Sequence, residues 1–441
     1  MQVFPFLAES LGDSSYMVAG DGVAAIVDPQ RDVRPFLKLA HEHGLEIQYV
    51  FETHVHNDYI SGGRELAARG AQILAPAASK LEFPHTPLAD GDVFPFGGVA
   101  LKAVAAPGHT YEHTAYVLLD QRGKPMGAFT GGCLLMGSAG RSDLLGPDHT
   151  AELTRLQWQS GRKIASLLPA AASLFPTHGA GSFCSTTGAA MERQGPLAIE
   201  LQRNPALTAG NEEEFAAIQL ASPAPIPGYY RYIAPINRAG PKVYGEPPSP
   251  CLLTPGQLVA LEGVTVVDVR PRQEFVRAHI PGTLEIEESD SLLAYVGWLV
   301  PYNAPVALVA VDEAQARRVT VDLFRIGYED VRGYLPWASW VADSRPTAQL
   351  AAVDLAGARK LRDSGRAVID TRFENEHHET PLPDALELPV DRLPQWIDSA
   401  PDGALIVCAS GQRATMAASL LEAAGKHPVV LVEGGAEDLR H

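Results

Sequence analysis

Through roughly the first 245 residues, short runs of β-branched or alternating apolar residues, such as GVAAIVDP and IQYVFETH, take turns with stretches of helical periodicity such as DVRPFLKLAHEHG. That alternation predicts an α/β or α+β block. Between about residues 222 and 255 the pattern breaks into ASPAPIPGYY and GPKVYGEPPSPCLLTP, too rich in proline for a helix interior or a central strand. Its second half reads as a linker. Beyond it, two segments of about 95 residues each open with an apolar strand ending in Asp-x-Arg, VTVVDVRPRQEF and RAVIDTRFENEH.

These two segments are copies of one unit. Asp268, Arg270, Glu274 and Pro281 recur as Asp370, Arg372, Glu376 and Pro383, each at an offset of 370 − 268 = 102. Further on, ALVAVDEAQARRVTVDLF and ALIVCASGQRATMAASLL align at 408 − 312 = 96, which sets Asp312 against Cys408 and Arg317 against Arg413. Strands alternating with helices of about ten residues predict a small doubly wound parallel sheet, whose sites form on loops at the carboxyl edge. Three domains are expected: 1–245, 252–346 and 347–441.

A chain of 441 residues is long enough for roughly two to four domains. With 35 Lys+Arg against 52 Asp+Glu the net charge is −17, which opposes partners held through phosphates, so neither nucleic acid nor an anionic membrane surface is expected. No apolar run approaches a membrane span, and the start lacks a basic n-region with a long apolar h-region; a cytoplasmic protein is expected. The four cysteines, Cys133, Cys184, Cys251 and Cys408, are scattered without a CxxC and make neither a disulfide framework nor a zinc ribbon.

Candidate chemistry lies in two places. FETHVHNDYISGG runs from an apolar strand into His54, His56 and Asp58, and alternate residues of an extended segment point the same way. Two more histidines stand in Gly-flanked loops, His109 in APGHTYEHT and His178 in FPTHGAGS. Imidazoles gathered from strand ends suit a catalytic metal with an open coordination position. In the last segment, Cys408 opens the loop CASGQR and Arg413 closes it as a helix begins. Backbone N–H groups and the positive helix end favour a thiolate there, able to take up a sulfane sulfur and pass it on. Arg413 would orient or neutralise an anionic substrate.

Through THVHND, PGHT and PTHG, the first block resembles the metallo-β-lactamase superfamily; through ETHVHNDYISG, APGHT, AFTGG and GRSDL it resembles the persulfide dioxygenases more closely. The resemblance implies an α/β/β/α sandwich holding one Fe(II) by two histidines and a carboxylate, and oxidising glutathione persulfide with O2 to sulfite. The histidines would be His54 and His109. The expected FTGD reads Phe129-Thr130-Gly131-Gly132, so Gly132 stands where the carboxylate ligand should be, and His56 or Asp58 would have to replace it. Tyr59 occupies a position that is histidine in dinuclear relatives, which speaks against a two-metal hydrolase. Arg141 falls in a loop near the family's thiol pocket, where it could hold a carboxylate or form a plain salt bridge; Cys133 is read as a buried thiol.

The repeats resemble the rhodanese domain, with its Asp-x-Arg strand, CxxGxR loop and trailing Gly434-Gly435. Asp312 cannot store sulfane sulfur, so the first copy looks like a pseudo-rhodanese unit. The whole chain resembles the fusions of persulfide dioxygenase with rhodanese, which implies an Fe(II) cofactor, thiosulfate, small thiols, persulfides and O2 as partners, and a homodimer. Sulfur transfer through Cys408 is expected to persist and dioxygenation to be weakened by Gly132. Two other readings stay open: a zinc-dependent thioester or lactam hydrolase, and a non-catalytic persulfide sensor.

Overall fold

The structure is a computed structural model that describes residues 1–186, 189–221 and 223–440; Ser222, where the proline-rich stretch opens, and His441, the end of the second repeat, lie outside the described residues. The chain forms two compact units, Met1–Pro247 with Arg325–Gly327, and Pro248–Phe324 with Tyr328–His441.

In the first unit two six-stranded sheets lie face to face. One takes its strands in chain order from Gln2–Ala8 to Thr86–Leu88, the other from Val93–Phe96 to Gly195–Pro196. Tyr16, Val18, Ala25, Val27, Phe51 and Leu74 of the first sheet pack in one buried cluster with Leu101, Ala103, Tyr116, Leu118 and Phe129 of the second. The opposite faces are covered as well. Met17, Ala24, Ile26 and Val50 pack on Phe36 and Ala40 of the helix Arg34–Glu42, while Val104, Val117 and Ala128 pack with Leu134 and with Ile164 of the long helix Pro147–Leu167. Strands buried on both faces explain why DSSYMVAG shows no hydrophobic alternation although all but its last residue is buried. The result is the α/β/β/α sandwich.

The second unit holds two parallel sheets built alike. The order Leu284–Glu285, Thr265–Asp268, Val306–Ala310, Val331–Pro336 is matched by Ala385–Glu387, Val368–Asp370, Leu405–Val407, Val429–Leu431, which is extended by Ala351–Val353. The sequence repeat is therefore a repeat of topology. Its signature residues do the same work in both copies: Arg270 forks onto Asp268 (2.7 Å) and Arg372 onto Asp370 (2.7 Å), each pair fully buried at a strand end. Arg270 is further stacked over Trp337 at 4.0 Å, and Arg372 donates to Thr380 Oγ1 at 2.7 Å. Among the described residues, no helix is long and apolar enough to cross a membrane.

A buried ion pair is expensive to break by halves, because the survivor is left charged and desolvated. Arg372→Ala is expected to lower the stability of the second unit by about 3–5 kcal/mol. Denaturant unfolding followed by tryptophan fluorescence measures it; a loss below about 1 kcal/mol would show that the pair does not hold the strand end.

Candidate metal centre and sulfur-carrier loop

Strands of the sandwich end in the loops that carry the histidines. Three imidazoles, His54, His109 and His178, offer nitrogens that all lie within 4.8 Å of one another, and all three side chains are buried. The outer nitrogen of each ring is already engaged. His109 Nδ1 lies 2.7 Å from the Arg141 carbonyl, which only accepts, so that Nδ1 carries the proton, and His178 Nδ1 lies 2.9 Å from Asp13 Oδ1. Thr53 Oγ1 donates to Asp28 Oδ2 at 2.7 Å, which leaves it to accept from His54 Nδ1 at 2.8 Å. Each Nε2 is thereby directed inward. His109 Nε2 is buried without a hydrogen-bond partner, and His54 Nε2 lies 3.3 Å from His178 Nε2.

Converging lone pairs repel unless a cation sits among them, and either a metal or a proton on His178 satisfies this triangle. Burial, reinforced by the neighbouring imidazoles, holds His54 and His109 well below the ordinary histidine range, so both rings are neutral as metal ligands must be. Burial also lowers His178, but Asp58 and Asp13 outweigh it and raise the ring to about 10. The same two carboxylates are the kind of support that orients a metal-bound histidine from outside.

The His56 ring lies 4.1 Å from the His54 ring, centroid to centroid, and His56, Asp58 and His178 offer a second set of ligand atoms within 4.8 Å of one another. His56 Nε2 faces Asp28 Oδ1 at 3.3 Å and Glu52 Oε2 at 3.7 Å, and its ring stacks on Tyr59, whose hydroxyl is 3.1 Å away. Asp58 Oδ2 approaches His178 Nδ1 at 3.2 Å. His56 faces the buried acidic pair Asp28 and Glu52, Asp58 stands at the outer nitrogen of His178, and His178 brings a third imidazole to His54 and His109.

Gly132 is more than a missing ligand. A β-carbon built there would lie 2.4 Å from His109 Cδ2 and 2.6 Å from its Cγ, so the His109 ring occupies the space an aspartate would need. The loop is fixed in this form by Gly132 N donating to His113 Nε2 (3.0 Å) and by Gln157 Nε2 donating to the Gly132 carbonyl (2.8 Å). Arg141 closes its fork on Asp143 (2.9 and 2.6 Å) and donates to the Ala224 carbonyl (2.6 Å), so the salt-bridge reading describes it and its carbonyl, not its charge, serves the site. Cys133 lies in the hydrophobic core, where burial pushes its thiol up to about 12, far from a thiolate ligand.

In the second unit, Cys408 directly follows the strand Leu405–Val407 and precedes the helix Gln412–Ala423. Gly411 N donates to Cys408 Sγ at 3.1 Å. Gly411 has φ +88°, and a β-carbon there would meet the Val432 carbonyl oxygen at 2.1 Å, so the loop demands glycine. Arg413 is buried, pairs with Glu376 through both terminal nitrogens (Nη2–Oε1 2.9 Å) and lies 4.7 Å over the Phe373 ring. Its charge is met by that carboxylate, which makes it a brace for the loop. Residues of the first repeat also reach this loop: Gln412 Nε2 donates to Ser289 Oγ (3.0 Å) and Arg272 Nη2 to the Ser410 carbonyl (3.2 Å). At the corresponding place in the first repeat, Asp312 Oδ1 accepts from Gln315 N (2.9 Å) at the start of its helix, and exposed Arg317 pairs with Glu313. That copy has become a helix cap.

Residues 11–174 match the metallo-beta-lactamase superfamily, and residues 354–441 match the rhodanese-like domain. The chain joins a metallo-beta-lactamase domain to a C-terminal rhodanese-like domain. Similar curated proteins include hydroxyacylglutathione hydrolases of Methylobacillus flagellatus, 36% identical over 26% of this chain and 46% of that protein, and of Cereibacter sphaeroides, 34% identical over 34% of this chain and 56% of that protein. The chain thus spans about half the length of the curated relatives it matches. Among solved structures, a metallo-beta-lactamase from Staphylococcus aureus subsp. aureus COL superposes with a TM-score of 0.69 at 28% identity, covering 76% of this chain and 98% of that one.

The superfamily fold together with the inward-facing histidines supports a metal cofactor such as zinc or iron. Gly132→Asp is expected to lower metal content below that of the unaltered chain, because the new side chain displaces His109. His178→Ala should lower metal affinity by about tenfold or more. Elemental analysis after dialysis against buffered metal checks both, and a rise in occupancy in Gly132→Asp would refute the steric argument.

Proposed function

We propose that the chain is a sulfane-sulfur enzyme: a sulfurtransferase through Cys408 joined to a metal site that oxidises a small-molecule persulfide to sulfite. The observation that carries the reading is the Cys408 cradle. A backbone N–H at 3.1 Å from Sγ, at the start of the helix Gln412–Ala423, stabilises sulfur bearing negative charge. Cys408 thiolate attacks the outer sulfur of thiosulfate, the S–S bond breaks, and sulfite leaves with the bonding pair. Cys408 then holds a persulfide anion. An acceptor thiolate attacks that terminal sulfur and releases Cys408 as thiolate, with no net oxidation. Arg413, held by Glu376, keeps the loop in register through both steps, and the first repeat, a pseudo-rhodanese unit, contributes Ser289 and Arg272 as supports.

In the sandwich, His54, His109 and His178 would hold one metal ion, which for iron supplies activation of O2 and binding of the persulfide sulfur. The chain's own residues fix the three imidazoles through Thr53, the Arg141 carbonyl and Asp13. Three neutral ligands leave the metal with more positive charge than two histidines and a carboxylate do. This supports the weakened oxidation anticipated from Gly132.

The likeness to hydroxyacylglutathione hydrolases favours a second reading, hydrolysis of a glutathione thioester at a zinc centre. Tyr59, stacked on His56, takes the position where the family resemblance implies a histidine ligand for a second metal, while His56, Asp58 and His178 offer a second set of converging ligand atoms. Metal analysis separates the two: one iron per chain supports oxidation, two zincs support hydrolysis.

Cys408→Ser is expected to abolish thiosulfate:cyanide sulfur transfer while leaving O2 uptake with added glutathione persulfide unchanged. Undiminished transfer in this variant would sink the assignment to Cys408. Rapid O2 uptake by the unaltered chain, comparable to its transfer rate, would show that the three-histidine centre is not impaired.

A further inference from the structure

The loop that carries His56 and Asp58 is gripped by a residue from the far end of the first unit. The helix Tyr230–Ala239 buries Tyr230, Ile233 and Asn237, a stripe with steps of three and four residues. Its last member is an amide. Burying an amide is costly unless it is hydrogen-bonded, and Asn237, only 5% exposed, has both donor hydrogens in use. Nδ2 donates to the His56 carbonyl at 3.0 Å and to the Tyr59 carbonyl at 2.8 Å, while Oδ1 accepts from Ser61 N at 2.9 Å. Carbonyls only accept and a backbone N–H only donates, so the amide has a single orientation.

These three bonds bracket Asp58. Between the strand Glu46–Phe51 and the helix Gly63–Ala67 the loop is neither strand nor helix, so its backbone groups need partners from elsewhere. Asp58 Oδ2 stands 3.2 Å from His178 Nδ1, and the other nitrogen of that ring lies 3.3 Å from His54 Nε2. The grip is returned by the helix that follows the loop. Arg64 Nη1 donates to the carbonyls of Gly240 (2.9 Å) and Pro241 (2.6 Å), and Glu65 Oε1 accepts from Tyr244 N (2.6 Å), so a stretch whose sequence reads as a linker is docked here.

We propose that Asn237 is a positioning residue of the metal centre. Its amide sets the backbone of residues 56–61, that backbone places Asp58, and Asp58 aims His178 Nε2 at His54 and His109. Metal binding and docking of the helix then stabilise each other, since coupling between two binding events is reciprocal. The proposal rests on the metal-cofactor reading and holds for zinc or iron, and for oxidation or hydrolysis alike.

Titration of the metal-free full chain with Co(II) against a competing chelating dye, with the visible absorption bands of the bound metal recorded, tests it without turnover. Asn237→Ala should bind Co(II) about tenfold or more weakly and with displaced bands, because His178 loses its aim. Asn237→Asp keeps the acceptor for Ser61 N but loses both donors, and should fare no better. Ile164→Ala, in the core beneath the helix Pro147–Leu167, is the control for lost stability alone: a lower melting temperature with unchanged affinity and bands. Asn237→Ala behaving like that control would make Asn237 merely structural and overturn the proposal. A second measurement needs no variant. Zn(II) added to the unaltered chain should slow hydrogen exchange at Ser61 N–H and across the helix Tyr230–Ala239 by about tenfold, and unchanged exchange there would overturn the proposal as well. Binding of neither metal by the unaltered chain would remove the metal-cofactor reading and the proposal together, whereas tight binding untouched by Asn237→Ala removes the proposal alone.

Discussion

The buried carboxylate of Asp28 holds the metal centre together. It sits just past the strand Val23–Val27 with φ +51°, a backbone state that aspartate tolerates better than most residues. Oδ1 accepts from Thr53 N at 2.7 Å, Oδ2 accepts from both the Thr53 and Thr177 hydroxyls, and His56 Nε2 stands 3.3 Å from Oδ1. Burial alone would favour the neutral acid, but His56 and the hydrogen bonds from Thr177 and Thr53 outweigh it and keep Asp28 below the usual carboxylate range. One anion therefore fixes the ends of three strands. Thr53 in turn orients His54, and Thr177 precedes His178, so two imidazoles from distant parts of the chain take their positions from the same group.

That dependence explains what could and could not be read from sequence. The alternating runs carry the α/β character of the first block and the 102-residue offset carries the repeated sheets, since both are local or periodic signals, whereas the layer order is implied only by the family resemblance. His54 and His109 are legible in THVHND and PGHT, and Cys408 in CASGQR. His178 is visible as a Gly-flanked histidine, yet its contact with His54 spans 124 positions and its bond to Asp13 spans 165, distances that only the closed sandwich brings together. Arg141 is a different case. Its partner Asp143 lies two residues on, within GRSD, so the salt bridge is a local signal in the sequence. Likewise Glu376 is visible as a repeat residue, but its grip on Arg413 depends on the helix Glu374–Glu379 facing the loop.

The two repeats share their sheet order and differ at the loop that carries Cys408 in one and Asp312 in the other. Both keep the buried Asp-Arg pair and the same strand order, so the fold does not depend on the loop chemistry. At the loop they part. An aspartate is a good helix cap because its side chain accepts from the third residue on, as Asp312 does from Gln315. A cysteine with glycine three residues later instead lets the backbone turn in and point its N–H at sulfur, as Gly411 does. The first copy has a capped helix in place of the thiol, and it meets the Cys408 loop through Ser289 and Arg272.

The same economy bears on Gly132. If the glycine simply deleted a ligand, a void would be left beside the histidines, and buried polar voids fill with water or collapse. The loop has collapsed: His109 lies against the Gly132 α-carbon, Gly132 N is bound to His113, and the Gly132 carbonyl is bound to Gln157. With the backbone committed in this way, the carboxylate cannot return without moving His109, whose Nδ1 is tied to the Arg141 carbonyl. The contacts of this chain's own residues thus fix the His109 ring and fill the space that a carboxylate at position 132 would need.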